Sequence, residues 1–438
     1  MSRTINLFLC FCLIVSLSLV ACGTEDPDTP APLLTGTPEE GTPEAAVTGQ
    51  ADGSPTPGGA ILPPGNVTLT VWTIEEFAPA DEDAGGRNLL GQLLAFDRSH
   101  PDLTIDVVVK RPDGAGGIMD YLQTAPEVAP DVLPDITVLS SQNLPRAVDE
   151  GVIQPLDDLL SPEIVAGLFS AAGDLGRVDD VLMGLPFMLD FEHIVYNSGI
   201  LTSTAPITWG AVLDSGGPYL FPAAEDAPVD TALTHYLAAG GALYDENGTP
   251  RFEIDPLTEV FRFYQLANSQ KVIPAAMLQT HSLAESWEAY LNGNALIAHT
   301  SATLYLSGRD DLLNTAVAPP PGPEEAAPPL AAGWIWVIVT PDPSRQGLAA
   351  ELLDWLMSAE NLGVWSYSSR WLPASADALA VWPTDDAYVQ FAHEQLTVAL
   401  AHPGDAYNQA MQPKLTQAVR DVLLGNSSPA AAAAASSP

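Results

Sequence analysis

The stretch Gly-Leu-Pro-Phe-Met-Leu-Asp-Phe-Glu-His-Ile-Val-Tyr-Asn, residues 184–197, lies in the middle of the chain and is largely apolar. Its β-branched and aromatic residues favour an extended conformation, whereas Pro186 cannot donate a backbone hydrogen bond to a neighbouring strand. We therefore predict a buried strand that is broken once, exposes the acid Asp190 and then resumes. Such a strand suits a crossover between two lobes, and the alternative is an ordinary buried strand with a kink.

The N-terminus has the pattern of a secretory signal peptide, in which Arg3 precedes an apolar run over residues 5–20. The run ends in Leu-Val-Ala-Cys, which is similar to the lipobox of bacterial lipoproteins. We therefore expect residues 1–22 to form a lipoprotein signal, with cleavage before Cys22 and a lipid attached to that cysteine. A plain signal peptide with a chance cysteine and an uncleaved anchor are the alternatives.

The composition excludes some partners. The formal net charge is −40 at pH 7, with 15 basic residues against 55 acids. Such a chain repels the phosphates of nucleic acids, and it lacks the basic clusters that hold proteins to anionic lipid. We therefore expect no nucleic-acid partner, and membrane attachment only through the lipid on Cys22.

Two segments have the composition of disordered chain. Residues 23–66 are rich in Pro, Gly, Thr and Glu, with seven acids and no base, so we expect a disordered tether. Residues 426–438, which contain a run of alanines, are predicted to form a disordered tail. The remaining chain, residues 67–425, is long enough for two lobes.

Strand and helix patterns alternate at the start of this folded part. Strands are predicted over residues 67–73, 103–109 and 134–139, with helical patterns between them. This order indicates βαβ units and mainly parallel sheets flanked by helices, an α/β fold. Ligands of such sheets bind beyond the carboxyl ends of the strands, which places Glu75 and Gln142 near a site.

Several short motifs carry a resemblance to a known family. The chain resembles the extracellular solute-binding proteins of sugar-type ABC transporters (family 1) over residues 67–425, and the order and spacing of the motifs make the match specific. The motifs are Val-Trp-Thr at 71–73, Leu-Leu-Ala-Phe-Asp-Arg-Ser-His-Pro-Asp at 93–102, Leu-Pro-Asp-Ile at 133–136, Gln-Pro-Leu-Asp-Asp at 154–158, the central stretch, Leu-Asn-Gly-Asn-Ala-Leu-Ile at 291–297, Ala-Gly-Trp at 332–334 and Arg-Trp-Leu-Pro-Ala-Ser at 370–375.

The resemblance implies the two-lobed, type II periplasmic-binding-protein fold. Three hinge crossings would fall near residues 185–191, 331–335 and 371–375. The first lobe would hold residues 67–188 plus 334–370, and the second lobe 189–333 plus 371–425. A solute would bind in the cleft, and hinge closure would then present it to the membrane permease.

Aromatic rings that end strands or lie at the expected crossings are the candidate platforms for a sugar, because sugar rings present apolar C–H faces. For each of them, ordinary core packing is the alternative. The resemblance also places ring-stacking residues near the 300–303 turn, although Thr303 stands where an aromatic is frequent. The four candidates are Trp72, Tyr305, Trp334 and Trp371, whereas Trp287, Trp336, Trp355 and Trp365 are expected in the core.

Among the polar residues, Asp190 is the main candidate, because an unpaired acid in an apolar run is costly unless it binds something. A structural hydrogen bond at the hinge is the alternative. Glu75 and Gln142 are further candidates, and each can equally be a solvated loop residue. Of the adjacent acids Glu75 and Glu76, at most one is expected to face the cleft.

Enzymatic function has little support in the sequence. It contains no Gly-x-Ser-x-Gly, His-Glu-x-x-His or phosphate-binding-loop motif, and the pair His281 and Glu285 has no third ligand in view. Paired carboxylates leave a glycoside hydrolase open, and the absence of repeats disfavours an adhesin.

We therefore expect a monomeric, non-enzymatic receptor without cofactor or metal. It would capture a small polar solute, which we expect to be a carbohydrate, outside the cytoplasm and deliver it to an ABC permease. A polyamine or a peptide is the alternative ligand.

Overall fold

The structure is a computed structural model that describes residues 67–80, 82–202, 204–310 and 312–437, without the side chain of Glu127. The expected signal peptide, the lipidation site Cys22 and the tether over residues 23–66 lie outside the described residues. The fold is α/β, with a large sheet flanked by helices.

The strands are β1 (Val67–Thr73), β2 (Leu103–Val109), β3 (Ile136–Ser140), β4 (Arg177–Val178), β5 (Val181–Leu182), β6 (Leu185–Asn197), β7 (Tyr219–Leu220), β8 (Ile297–Ser301), β9 (Thr315–Ala318), β10 (Leu330–Ile338), β11 (Leu372–Pro373) and β12 (Leu400–Ala401).

The α-helices are α1 (Ala84–Ser99), α2 (Ile118–Val128), α3 (Leu144–Asp149), α4 (Pro162–Ala166), α5 (Ser170–Leu175), α6 (Trp209–Asp214), α7 (Asp230–Ala238), α8 (Ile254–Ser269), α9 (Leu283–Leu291), α10 (Ala302–Gly308), α11 (Pro343–Met357), α12 (Ala359–Ser369), α13 (Ala376–Leu379), α14 (Ala387–Val398), α15 (Asp405–Leu424) and α16 (Pro429–Ser436). Short 3-10 turns lie at Glu75–Phe77, Pro130–Val132, Ser141–Asn143 and Ala275–Gln279.

The main sheet has the strand order β2-β1-β3-β10-β6-β8-β7. β1 pairs in parallel with β2 and β3, as the alternation of strands and helices predicts, and β7 pairs in parallel with β8. The long strand β6 pairs antiparallel with β10 along its first half and with β8 and β9 along its second half. One continuous strand therefore joins the two parts of the sheet.

The predicted break in the central stretch is wrong, because β6 runs from Leu185 to Asn197 without interruption. Pro186 is accommodated where it faces Ile335 of β10, next to a register shift between Trp334 and Ile335. Such an irregularity tolerates a residue that cannot donate to the ladder.

Two large hydrophobic clusters lie at the two ends of β6. The first contains Met188 and is built from β1 to β3, the start of β6, β10 and the helices α1, α11 and α12. The second contains Ile194 and is built from the end of β6 with α7, α8, α15 and α16. This arrangement agrees with a two-lobed fold, whereas the exact lobe boundaries stay a prediction.

The predicted disordered tail at residues 426–438 is also wrong over most of its length. The side chain of Ser428 accepts a hydrogen bond from the backbone N–H of Ala431 and caps α16. Ala432 and Ala433 are 3% and 0% exposed within the second cluster. Alanine has the highest helix propensity, and packing against α8 and α15 then stabilises the helix.

The tryptophans expected in the core mostly lie there. Trp287, Trp336 and Trp365 are buried. Trp355 is the exception, because its side chain is 38% exposed and its Nε1 donates to the carbonyl of Gln92 at 3.2 Å.

Candidate functional site at the strand crossings

The three segments expected to cross between lobes lie side by side. Leu189 of β6 is in register with Gly333 of β10 on one side and with Leu372 of β11 on the other. The approach to β10 is so close that a Cβ at Gly333 would lie 2.0 Å from the carbonyl oxygen of Met188, so only glycine fits there. Three segments distant in sequence thus meet at Leu189.

Two of the predicted aromatic platforms come together at these crossings. Trp334 and Trp371 are both half-buried, and both pack edge-on against Phe77, with ring centroids 5.8 and 5.5 Å apart. Phe77 itself is 1% exposed and ends the turn that carries Glu75. Phe77 therefore contacts both indoles, and neither tryptophan is fully buried.

Trp72 is not part of this group. It is 3% exposed, its ring packs edge-on against Tyr121 at 5.5 Å, and the Nζ of Lys110 lies 4.8 Å from its centroid. This placement favours the packing alternative for Trp72, and we leave it out of the proposed site.

Tyr305 lies on α10, which begins directly after β8. It is half-buried, and its ring lies 4.7 Å from that of Tyr388 and 6.2 Å from that of Trp287. Burial raises the pKa of Tyr305, so its hydroxyl stays protonated. Tyr305 therefore belongs to an aromatic group separate from the two indoles.

Asp190 lies at the crossings, as the interruption of the apolar run suggests. Its Oδ1 accepts hydrogen bonds from the backbone N–H of Phe191 at 2.9 Å and of Thr303 at 3.1 Å. Burial raises the pKa of Asp190, although these hydrogen bonds act in the opposite direction. The carboxylate of Asp190 therefore makes structural hydrogen bonds to the backbone and also lines a cavity.

The weaker polar candidates differ in their surroundings. Glu75 and Glu76 are both exposed. Gln142 is half-buried, and its Nε2 lies 3.3 Å from Nδ1 of His402, a residue 260 positions later in the chain.

The sequence analysis missed a buried polar network, which we define as Glu192, Tyr219, His235, Tyr264 and His299. His299 Nδ1 and the hydroxyl of Thr231 both contact Oε1 of Glu192. The Tyr219 hydroxyl contacts Nε2 of His299 and lies 3.2 Å from Nε2 of His235. Nδ1 of His235 lies 2.9 Å from the hydroxyl of Tyr264. All five residues are buried.

Burial sets the protonation of this network. It raises the pKa of Glu192 to about 8, and it lowers the pKa of His299 to about 3. Glu192 is therefore protonated and His299 neutral at pH 7, so the network carries hydrogen bonds without a net charge.

A cavity of about 120 Å³ lies beside Asp190. Glu192 and the first residue of α7, Asp230, also line it, together with His402. Nε2 of His402 lies 3.1 Å from Oδ1 of Asp230. Burial disfavours the charged imidazole, but the hydrogen bond and the charge of Asp230 outweigh it and raise the pKa of His402.

One of the residues that line this cavity can be predicted from the sequence. Side chains two positions apart share a strand face, so Glu192 follows Asp190 on the same side of β6. Asp230 and His402 carry no such local signal, because the fold joins them across 172 residues.

Three further cavities are larger: one of about 380 Å³ is lined by Gln142, whereas two of about 610 and 680 Å³ contain none of the predicted site residues. Of these last two, one is bordered by Tyr290 and Leu313 and the other by Asp135 and Arg345.

Among the residues that the structure describes, no group of three or more His, Cys, Asp or Glu side chains is placed to hold a metal ion. Nor is any of the described helices long and apolar enough to cross a membrane.

Comparison with solved structures reveals the same fold in sugar-binding proteins. The cyclic alpha-maltosyl-1,6-maltose binding protein of Arthrobacter globiformis is similar with a TM-score of 0.70 and 18% identity, over 85% of this chain and 97% of that one. The sugar-binding protein MalE of Xanthomonas citri has a TM-score of 0.68 and 18% identity, over 84% and 95% of the two chains. An ABC transporter solute-binding protein of Thermotoga lettingae, bound with alpha-D-tagatose, has a TM-score of 0.64 and 20% identity, over 84% and 97%.

No curated protein sequence matches this chain. At the family level, a model that describes bacterial extracellular solute-binding proteins matches residues 94–392, which is more than half of the sequence. The chain therefore belongs to the family of bacterial extracellular solute-binding proteins.

Proposed function

We propose that this protein is the substrate-binding component of an ABC importer. It captures a carbohydrate between its lobes and delivers it to the membrane permease. The proposed contacts are Asp190, Trp334 and Trp371 at the crossings, with Glu75, Gln142 and Tyr305 around them.

The observation that carries this proposal is that Asp190 and Trp334 lie on the adjacent crossing strands β6 and β10, and that Trp371 directly precedes the third segment, β11, and shares the contact with Phe77. Half-buried indoles offer apolar faces for the C–H groups of a sugar ring, and a carboxylate accepts hydrogen bonds from its hydroxyls. The combination suits a ligand that is apolar on its faces and polar at its edges, which is the character of a carbohydrate.

The proposed mechanism is hinge closure. Only β6, β10 and the segment at β11 need to bend if the lobes comprise residues 67–188 plus 334–370 and 189–333 plus 371–425. A ligand that contacts Trp334 and Asp190 together would stabilise the closed form, because it gains contacts that the open form lacks.

We propose that a lipid on Cys22 holds the protein on the outer face of the cell membrane, with residues 23–66 as its tether. Replacing Cys22 by alanine should move the protein from the membrane fraction to the soluble fraction without changing ligand binding. Retention of the Cys22→Ala variant in the membrane fraction would contradict the lipid anchor.

The test of ligand class is calorimetry on the full-length chain in detergent, with mono- and oligosaccharides, spermidine and small peptides as ligands. A bound sugar should lose at least about 10-fold in affinity in Trp334→Ala, which corresponds to about 1.4 kcal/mol. Trp355→Ala is the matched control, because this indole lies on α11 against Phe96 and should leave affinity unchanged.

The same samples should be analysed for products. An intact sugar supports a receptor, whereas cleavage would make the protein a hydrolase. If only spermidine or peptides bind, the protein is still a receptor, but its ligand is not a carbohydrate.

A further inference from the structure

We propose that Asp190, Glu192, Asp230 and Thr234 form a subsite for a protonated amino group, so that the ligand is an amine-bearing carbohydrate. This inference rests on the proposed function, because it concerns one end of the same ligand site.

The cavity of about 120 Å³ brings these side chains together from different elements. Asp190 and Glu192 share one face of β6, and Asp230 and Thr234 come from α7. A volume of this size holds a few water molecules or one small polar group. The recess therefore suits a substituent of a sugar.

Two polar groups at the recess are available to a ligand. Thr234 is 1% exposed and lines the cavity, and its hydroxyl oxygen has no hydrogen-bond partner among the described residues. The hydroxyl of Thr231 donates to Oε1 of Glu192, and Nδ1 of His299 lies against the same oxygen, which leaves Oε2 for another donor. A buried polar group without a partner is unfavourable, so a donor that enters the recess is stabilised.

The charges at the recess favour a cation as that donor. Three carboxyl groups, of Asp190, Glu192 and Asp230, line it, whereas His402 is the only basic side chain among its lining residues and is already paired with Asp230. The lining therefore offers no basic side chain to Asp190, and Glu192 holds a proton in place of a cation. An ammonium group would supply that positive charge, displace the proton of Glu192 and donate up to three hydrogen bonds.

The residues packed around Glu192 add no charge to the recess. His299 on β8 is buried and neutral, and Tyr219 and Tyr264 stay protonated because burial raises the pKa of both hydroxyls. Asp230 on α7 raises the pKa of Glu192, and His402 acts in the opposite direction more weakly. A bound ammonium would favour the ionised form of Glu192, so binding should release protons at neutral pH.

The first experiment compares amino sugars with their neutral counterparts by calorimetry on the full-length chain. The probes are glucose with glucosamine, galactose with galactosamine, and N-acetylglucosamine as the uncharged amide. We expect at least one amine to bind at least 10-fold more tightly than its parent sugar and its amide. Buffers of different ionisation enthalpy should reveal proton release on binding.

The variant Glu192→Gln keeps the shape of the side chain and should remove the preference for the amine, measured as the ratio of the affinities for the amine and for its parent sugar. Glu259→Gln, at an exposed position on α8, is the matched control and should keep the preference. Equal affinity for amine and parent sugar would overturn the subsite but leave the carbohydrate receptor intact. If spermidine binds and no sugar does, the proposal that the ligand is a carbohydrate is wrong.

A second measurement does not depend on knowing the sugar. Methylammonium chloride should raise the Tm of the wild type with increasing concentration, relative to sodium chloride at equal ionic strength, and should do so less in Glu192→Gln. An equal response to the two salts in the wild type would overturn the subsite whatever the sugars show.

Discussion

Two buried groups lie near the crossings and differ in kind. The aromatic cluster of Phe77, Phe187, Trp336 and Trp365 packs ring against ring, with Phe187 stacked 4.7 Å from Trp336 and 5.4 Å from Trp365. The buried polar network around Glu192 instead consists of titratable groups in close polar contact with one another. The first group depends on shape, whereas the second also depends on protons, so one part of the protein should respond to pH and the other should not.

The largest effect is expected in the aromatic cluster. Replacing Trp336 by alanine leaves a cavity beside Phe187 and should lower the free energy of unfolding by about 3–5 kcal/mol. Trp334→Ala, two positions away on the same strand, removes a half-buried ring and should cost clearly less stability. Denaturant unfolding of both variants measures the difference, and equal losses would contradict the assignment of Trp336 to the core and Trp334 to the ligand site.

The next effect is a pH dependence that comes from the polar network. Because the pKa of Glu192 is raised to about 8, the folded protein holds a proton that the unfolded chain has lost above its ordinary value of 4.5. The free energy of unfolding should therefore fall as pH rises toward 8, by up to about 1.4 kcal/mol per pH unit. Unfolding curves of the wild type and Glu192→Gln between pH 6.5 and 8 measure this slope.

The range from pH 6.5 to 8 is chosen because of the histidines, which also change protonation between the folded and unfolded states. His193 and His299 have pKa values lowered to about 3, so they destabilise the fold only below about pH 6.5, where the unfolded histidines take up protons. His402, whose pKa is raised, contributes with the same sign as Glu192. The part of the slope that disappears in Glu192→Gln is therefore the contribution of Glu192, and identical slopes would show that this carboxyl is not held protonated.

The smallest effect on stability is expected from removing α16, which packs on the second hydrophobic cluster. Deleting residues 429–438 exposes the surface that Ala432 and Ala433 cover, which should cost roughly 1–2 kcal/mol on the basis of the buried methyl groups. Ser437→Ala removes the hydrogen bonds from its hydroxyl to the carbonyls of Phe252 and Ala433 and serves as the milder variant. Unchanged stability after the deletion would support the disordered tail that the composition predicts.

The two groups also differ in how far the sequence reveals them. The aromatic cluster is within reach of pattern analysis, since Trp336 and Trp365 fall in strand and helix patterns typical of a core. The network is not, because Glu192 and His299 look like isolated polar residues until β6 and β8 pair. Asp190 was identified because it interrupts an apolar run, and the period of two along a strand extends that signal to Glu192.

The surroundings of Trp72 and of the C-terminal tail differ from what the local sequence suggests, for physical reasons. Trp72 ends a strand, as a ligand platform would, but Tyr121 and Lys110 cover it from other elements. The tail has a low-complexity composition, yet the same alanines form a helix once α8 and α15 supply a surface to pack against. In both cases a contact distant in sequence outweighs the local pattern.

By itself the sequence determined the acidic character of the chain, the order of its first strands and helices, and the motifs that carry the family resemblance. These follow from local propensity, charge and hydrophobic spacing, which depend on near neighbours in the chain. Only the tertiary structure decided which side chains share the cavity beside Asp190 and which of the buried acids keeps its proton. Those properties depend on burial and on partners such as His299 and His402, which folding brings to Glu192 from more than 100 residues away.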